Sequence, residues 1–388
     1  MTQQQDRLIA LDTFRGATIA LMIMVNNPGT WAHVYAPLRH AQWHGCTLTD
    51  LVFPFFLFIV GVAMRFSFEK YEMCKYGPLF WKIINRTITI FVFGLLLNAF
   101  PFIRQDWDWS TLRILGVLQR IALAYFFASI IVVRTDIKGL VKISFGLLVS
   151  YWLLLTGYGW YSGLDPYGLK TNLVLVFDKL ILGESHLWGG TGIQFDPEGL
   201  LSTIPSIVTV LIGFLVGTMI KTANNHKDNA QRMAVLGALL VILGWIWAFL
   251  FPINKQLWTS SYVLYTGGTA TIVLSAMIWL IDVQGIKLWS KPFVIFGSNS
   301  IFIFVASGIW ANILLKIKFD LDGKLVSGYS YLYKTVFQPL AGDLNGSLLF
   351  ALFHVLMFWL ILAWMLSLIH ISEPTRRTPI SYAVFCLK

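Results

Sequence analysis

Charge is scarce in this chain. Of 388 residues only 12% are Asp, Glu, Lys or Arg, about half the share of a soluble globular domain. A water-covered surface of ordinary size is thereby excluded. Cysteine is scarcer still. Cys46, Cys74 and Cys386 show no paired spacing, which argues against a disulfide framework and against a CxxC metal or redox site. The opening "MTQQQDR" is too short and too polar to read as a cleaved signal peptide. No internal repeat is evident, nor an inverted pair of the transporter kind. No linker divides the chain, so residues 1–368 are read as one transmembrane domain.

What is there is apolar. Hydrophobic residues make up 57% and aromatics 15%, with a mean hydropathy of +0.69. Runs of roughly 18 or more apolar residues recur, each long enough for a ~30 Å hydrocarbon core. The pattern predicts an all-α polytopic membrane protein, a single bundle of about ten transmembrane helices. The spans fall at 8–27, 48–68, 84–102, 113–133, 139–157, 201–220, 233–251, 262–282, 293–315 and 346–368.

A net charge of +10 does not point to nucleic acid, because the basic residues are scattered through short loops. That suits anionic lipid and the positive-inside rule. "FEKYEMCKYGPLFWKIINR" (68–86) is the strongest inside signal. Both termini are therefore predicted cytoplasmic, with the His40 loop and residues 158–200 exoplasmic. The latter segment is too long for idle connector; it predicts a folded cap with a short helix near 172–182. From His370 the sequence "HISEPTRRTPISYAVFCLK" shares no period with what precedes it. Residues 369–388 are read as a non-native or disordered tail.

Several stretches could carry chemistry. Asp12 and Arg15 are three apart and share a helix face; the pair either anchors the helix end or serves function, since an arginine in an apolar run is costly unless it faces a polar interior. Asn26-Asn27-Pro28-Gly29 stops the first span, and an amide there could cap the helix or orient a substrate. His40 and His44 are four apart, which on a helix puts both rings on one face. A metal pair of the HExxH kind lacks its glutamate and third ligand. Acid–base work and an interfacial place beside Trp43 both stay open. Cys46 is a poor nucleophile candidate, because nothing visible lowers its pKa. Asp50 opens the second span, where it can meet the helix dipole or orient an imidazole.

Further on, Arg113 and Arg120 are seven apart in "RILGVLQRIALAYF", on roughly one helix face, with Gln119 and Arg120 near mid-membrane. A desolvated arginine wants a carboxylate or a phosphate. Asp196-Pro197-Glu198 reads as an N-cap with proline at the first helical position. "NKQLWTSSYVLYTGG" and "FGSNSIFIFVASGIW" place small polar residues inside spans, where they serve close packing; Asn299 is the member expected to line a cavity.

Taken together, "LDTFRG…MVNNPG", "HAQWHG", "DLVFPFFLFIVGVA", "RILGVLQRIALAYF", "DPEGLLSTIP" and "NKQLWTSSYVL" resemble, in the same order, the transmembrane acyltransferases typified by heparan-α-glucosaminide N-acetyltransferase and its bacterial relatives. The similarity runs to about Leu368. It implies transfer of an acetyl group from cytosolic acetyl-CoA to an amino sugar or glycan across the membrane, in a bacterial inner membrane. It also implies that the histidine of the HAxW motif, His40, is the active-site residue, that the helix-end asparagine is Asn26 and that the DLVFP aspartate is Asp50. His44 stands where the lysosomal enzyme has asparagine, so the shared chemistry does not need it.

The expected roles follow. His40 is a base for the acceptor amine or a transient acyl carrier, Asp50 supports it, and Asn26 donates to the oxyanion. Arg15, Arg120 and Asn299 are assigned to acetyl-CoA, and Arg113, Trp43 and His44 to the acceptor. No metal is expected. Membrane lipid is an expected partner, nucleic acid is not, and a homodimer is left open. A polytopic transporter or flippase of sugar conjugates is the rival reading.

Overall fold

The structure is a computed structural model that describes residues 8–71, 76–101 and 108–372. Among these residues nine helices are long and apolar enough to cross a membrane, or ten if one bent pair counts as a span. The helices are α1 (Ile9–Asn26), α2 (Leu48–Phe68), α3 (Tyr76–Ala99), α4 (Val117–Arg134), α5 (Ile137–Ser162), α6 (Leu173–Leu182), α7 (Thr203–Lys221), α8 (His226–Trp247), α9 (Ser260–Ile278), α10 (Lys291–Gly297), α11 (Ser300–Lys316), α12 (Gly328–Leu332) and α13 (Gln338–Ser372). One two-stranded antiparallel hairpin, Lys318–Leu321 with Lys324–Ser327, completes the described elements. Its turn puts Asp322 and Gly323 at positive φ, 52° and 75°, as a tight hairpin turn requires. The all-α membrane class therefore holds.

The chain groups into two compact units, His40–Ser275 and the pair of segments 1–39 and 276–388. In the first, α2 and α7 form the centre. Within their most apolar 18-residue stretch 67% and 78% of residues are buried, against 22% for α3 and α8. Approach between α2 and α7 is close because two glycines face each other's backbone. A Cβ on Gly61 would lie 1.9 Å from the Val210 carbonyl oxygen, and one on Gly213 would lie 2.0 Å from that of Phe58. Small residues at such crossings are how helices bind tightly where lipid is as apolar as leucine.

Span α4 starts later than the sequence predicts. Residues 112–116 are extended, because their carbonyls are taken by side chains: Asn98 Nδ2 donates to Arg113 (3.0 Å) and Leu115 (3.2 Å), and Gln119 Nε2 donates to Ile114 (3.0 Å). Arg113 and Arg120 consequently do not share a helix face, and Arg120 sits in the first turn of α4. Span α7 also begins differently. Asp196 is not its cap; the carboxylate accepts from Glu198 N at 2.9 Å and closes a turn, and helix starts only at Thr203. The cap helix expected near 172–182 is α6, capped by Asn172, which accepts from Leu175 N at 2.8 Å.

In the second unit α1 packs on α10 with similar economy: a Cβ on Gly297 would meet the Asp12 carbonyl oxygen at 2.4 Å. Thr13 and Thr18 satisfy their hydroxyls on carbonyls four residues back. The predicted span 293–315 is broken. Helices α10 and α11 meet at 71° across Ser298 and Asn299. The tail expected from 369 starts inside α13, and residues 373–388 lie outside the described residues, as do Cys74, Cys386 and part of the 68–86 inside signal.

Candidate active site

The segment Arg39–Gly45 is not helical, so His40 and His44 do not form the one-face pair that a helix would give. They diverge to different partners. His40 Nδ1 lies 2.6 Å from Asp50 Oδ1. A carboxylate only accepts, so Nδ1 carries the proton. The ring is locked with Nε2 as its lone-pair atom, on a side chain that is 41% exposed above an aspartate that is 2% exposed.

Asp50 performs both roles open to it. Its Oδ2 closes a capping box at the start of α2, accepting from Thr47 N (3.1 Å), and also accepts from Thr47 Oγ1 (3.0 Å) and Ala41 N (3.0 Å). Its Oδ1 is left for the imidazole. The helix dipole favours the charge, and the surrounding donors stabilise it although it is buried. From behind, Tyr262 OH donates to the Asp50 carbonyl at 2.5 Å, so the backbone that carries the carboxylate is fixed as well.

A third charged group joins them. Lys255 Nζ is 3.5 Å from Asp50 Oδ1 and 3.3 Å from His40 Nδ1. Sequence reasoning passed over Lys255, quoting its stretch for small polar residues and for the family resemblance but not for the lysine. The one available signal was a lone charge between two apolar spans. The contact joins positions 215 residues apart, which no local pattern encodes. Its loop is pinned to the histidine loop by Gly45 N donating to the Ile253 carbonyl at 2.7 Å.

His44 Nδ1 is 3.4 Å from Asn254 Nδ2. Asn254 Oδ1 already accepts from Leu257 N, so its amide donates and His44 Nδ1 accepts. Burial lowers the His44 pKa, with the Asp165 charge partly opposing. Trp43 Nε1 donates to the Tyr167 carbonyl at 2.7 Å, and its ring meets Phe195 edge-on at 5.5 Å. This joins the histidine loop to the 158–202 cap. Cys46 is pushed up to about 12 by burial and then by Asp50, against the partial pull of Lys255; it is a poor nucleophile.

At the same end of the unit Arg113 is held by two acids. Nε and Nη2 bind Asp196 at 2.8 and 2.7 Å, and Nη2 binds Glu198 at 2.6 Å. Burial alone would lower its pKa; Asp196 and Glu198 outweigh that and raise it. Arg120 is fully buried. Its Nη2 donates to the Gly199 carbonyl at 3.0 Å and to Ser202 Oγ, and the guanidinium lies 5.0 Å over Trp258. Its Nε and Nη1 have no protein partner.

Arg15, Asn26 and Asn299 belong to the other unit. Arg15 Nη1 donates to Asp12 Oδ1 at 3.1 Å. Asn27, not Asn26, satisfies the end of α1, donating to the Ile23 carbonyl at 2.8 Å; Asn26 is the last helical residue and is exposed. Asn299 stands at the α10–α11 break, where its side chain makes no cap bond. Among the described residues no group of three or more His, Cys, Asp or Glu is arranged to hold a metal.

The family model for the catalytic region of heparan-alpha-glucosaminide N-acetyltransferase matches residues 7–245. The chain belongs to this family. It is 29% identical over 409 aligned residues to the Mus musculus heparan-alpha-glucosaminide N-acetyltransferase, covering 91% of this chain and 60% of that protein. It is 30% identical over 363 residues to the Homo sapiens protein of the same name, covering 79% and 53%. The chain thus spans somewhat over half the length of these curated relatives. In the heparan-alpha-glucosaminide N-acetyltransferase family match lie His40, Asp50, Arg113 and Arg120, whereas Lys255 and Asn299 fall beyond it.

Proposed function

We propose that this protein is a membrane acetyltransferase that moves an acetyl group from acetyl-CoA to the amine of an amino sugar or glycan, with His40 as its base. The observation that carries the reading is the His40–Asp50 pair: a ring fixed on one nitrogen by a buried carboxylate and open on the other.

The step runs as follows. The acceptor nitrogen attacks the thioester carbonyl carbon, the C–S bond breaks, and coenzyme A leaves as thiolate. The proton released by the amine goes to His40 Nε2 and from there to the thiolate. A positioned base of this kind is worth ~10²–10⁴-fold, and Asp50 stabilises the imidazolium that forms. Asn26 donating to the oxyanion, Arg15, Arg120 and Asn299 serving acetyl-CoA, and Trp43 and His44 serving the acceptor remain parts of the proposal. The two unpartnered N–H groups of Arg120 are suited to an anionic or carbonyl oxygen. Cytosolic donor, exoplasmic acceptor, a bacterial inner membrane and two cytoplasmic termini complete it.

The test is transfer of label from acetyl-CoA to glucosamine or a glucosamine-terminated glycan by membranes carrying the protein. Transfer that His40→Ala abolishes supports the reading. Absence of transfer to any amino sugar, together with net movement of a sugar conjugate across sealed vesicles, overturns it in favour of a transporter.

A further inference from the structure

We propose that Lys255 is a positioning residue that sets the protonation of His40, an inference whose catalytic meaning rests on the function proposed above.

Asp50 Oδ2 is occupied by three donors, Thr47 N, Thr47 Oγ1 and Ala41 N. One oxygen, Oδ1, therefore remains to be shared, and two groups approach it: the His40 N–H at 2.6 Å and the Lys255 ammonium at 3.5 Å. Nδ1 already spends its proton on Oδ1, so it offers Lys255 no lone pair. The ammonium acts on the ring through its charge, 3.3 Å away. A second positive charge on the imidazole would face that cation at short range, where screening is weak. Asp50 and Lys255 together sum to zero, so the carboxylate's pull on a ring proton is opposed by the ammonium beside it.

The geometry is built rather than incidental. Lys255 sits in a loop whose turns are closed by Asn254 N on Thr259 Oγ1 (3.0 Å), Leu257 N on Asn254 Oδ1 (2.8 Å) and Trp258 N on the Lys255 carbonyl (3.1 Å). Gly45 pairs with Asn254 across the two loops. The Lys255 side chain is only 18% exposed. The other titratable and charged groups near His40 have separate engagements. His44 Nδ1 accepts from Asn254, Cys46 Sγ faces the Thr47 carbonyl at 3.6 Å, Tyr262 OH serves the Asp50 backbone, and Arg39 Nη2 donates to the Val34 carbonyl.

The test reads the ring directly and needs no acetyl transfer. Full-length protein in detergent is treated with diethyl pyrocarbonate, which modifies unprotonated imidazole, across a pH series, and His40 modification is quantified by peptide mass spectrometry. For Lys255→Met and Lys255→Gln the half-maximal pH of His40 modification moves upward by about one unit relative to wild type, in line with a unit charge lost at contact distance. Lys255→Arg keeps the wild-type curve. Superimposable curves for wild type and Lys255→Gln overturn the inference; the glutamine variant keeps a polar side chain of similar length and stands in where methionine does not fold. A protein that transfers no acetyl group yet shows the shift supports this inference while refuting the proposed function.

Discussion

Two charged clusters stand at the same end of the His40–Ser275 unit, and they differ in how they are closed. In one, Arg113 is gripped by Asp196 and Glu198, with three hydrogen bonds between 2.6 and 2.8 Å. In the other, Asp50 is equally buried and saturated, but the imidazole it holds turns its second nitrogen outward. The first cluster spends its donors on neighbours, ties the extended 112–116 segment to the 196–202 turn and so fixes the cap. The second leaves one basic atom unspent. The comparison separates charge used to hold shape from charge kept available for a substrate.

The sharpest way to break this contrast is to remove each centre in turn. His40→Ala and Asp50→Asn should lower acetyl transfer by ~10²–10⁴-fold while the thermal unfolding midpoint of Asp50→Asn falls and that of His40→Ala barely moves. Equal loss of stability in His40→Ala would place that ring in the scaffold instead. Next, Arg113→Met should destabilise by about 3–5 kcal/mol, since it leaves Asp196, with a side chain 0% exposed, without its cation. Unfolding in detergent checks it, and residual folded protein should retain acetyl transfer per molecule.

A smaller effect is expected at Asp178, whose carboxyl is raised to about 6 by burial, against hydrogen bonds from Leu201 and Leu200 and the charge of Arg120. Because the folded value lies above the unfolded one, the folded state binds the proton more tightly. Stability should therefore be highest below about pH 4 for this group and fall as pH rises toward 6, by at most about 3 kcal/mol. Asp178→Asn should flatten that window, measured as the unfolding midpoint against pH. The smallest effect belongs to Cys46. With its thiol at about 12, alkylation at neutral pH should be slow, and Cys46→Ala should leave acetyl transfer within about twofold; rapid labelling would show a thiolate that the burial does not permit.

Most of the helices were legible in the sequence because apolar length is a local property. Helix α2 begins and ends where its run of apolar residues does, and α6 was readable from its own short amphipathic stretch. Boundaries failed where a distant side chain intervened. The start of α4 was displaced by Asn98, on another helix, and α7 was delayed because Asp196 closes a turn and grips Arg113. The His40–Asp50 pairing was accessible because ten residues separate its members and a capping signal sits between them. Lys255 was not, since hydropathy treats a lone lysine between spans as a topological marker. The division of labour between Asn26 and Asn27 also escaped, because adjacent identical residues differ only in which way the helix end turns them.

The 71° corner between α10 and α11 carries a consequence for solvation. A ladder of amide bonds that stops and restarts within one crossing exposes backbone dipoles where hydrocarbon offers them nothing, and such corners persist only beside water or protein. The backbone flanking Ser298 and Asn299 must then be covered by protein or reached by water. Amide deuterium uptake there tells the two apart: exchange faster than at the centre of α2 means water, and equally slow exchange means a protein cover.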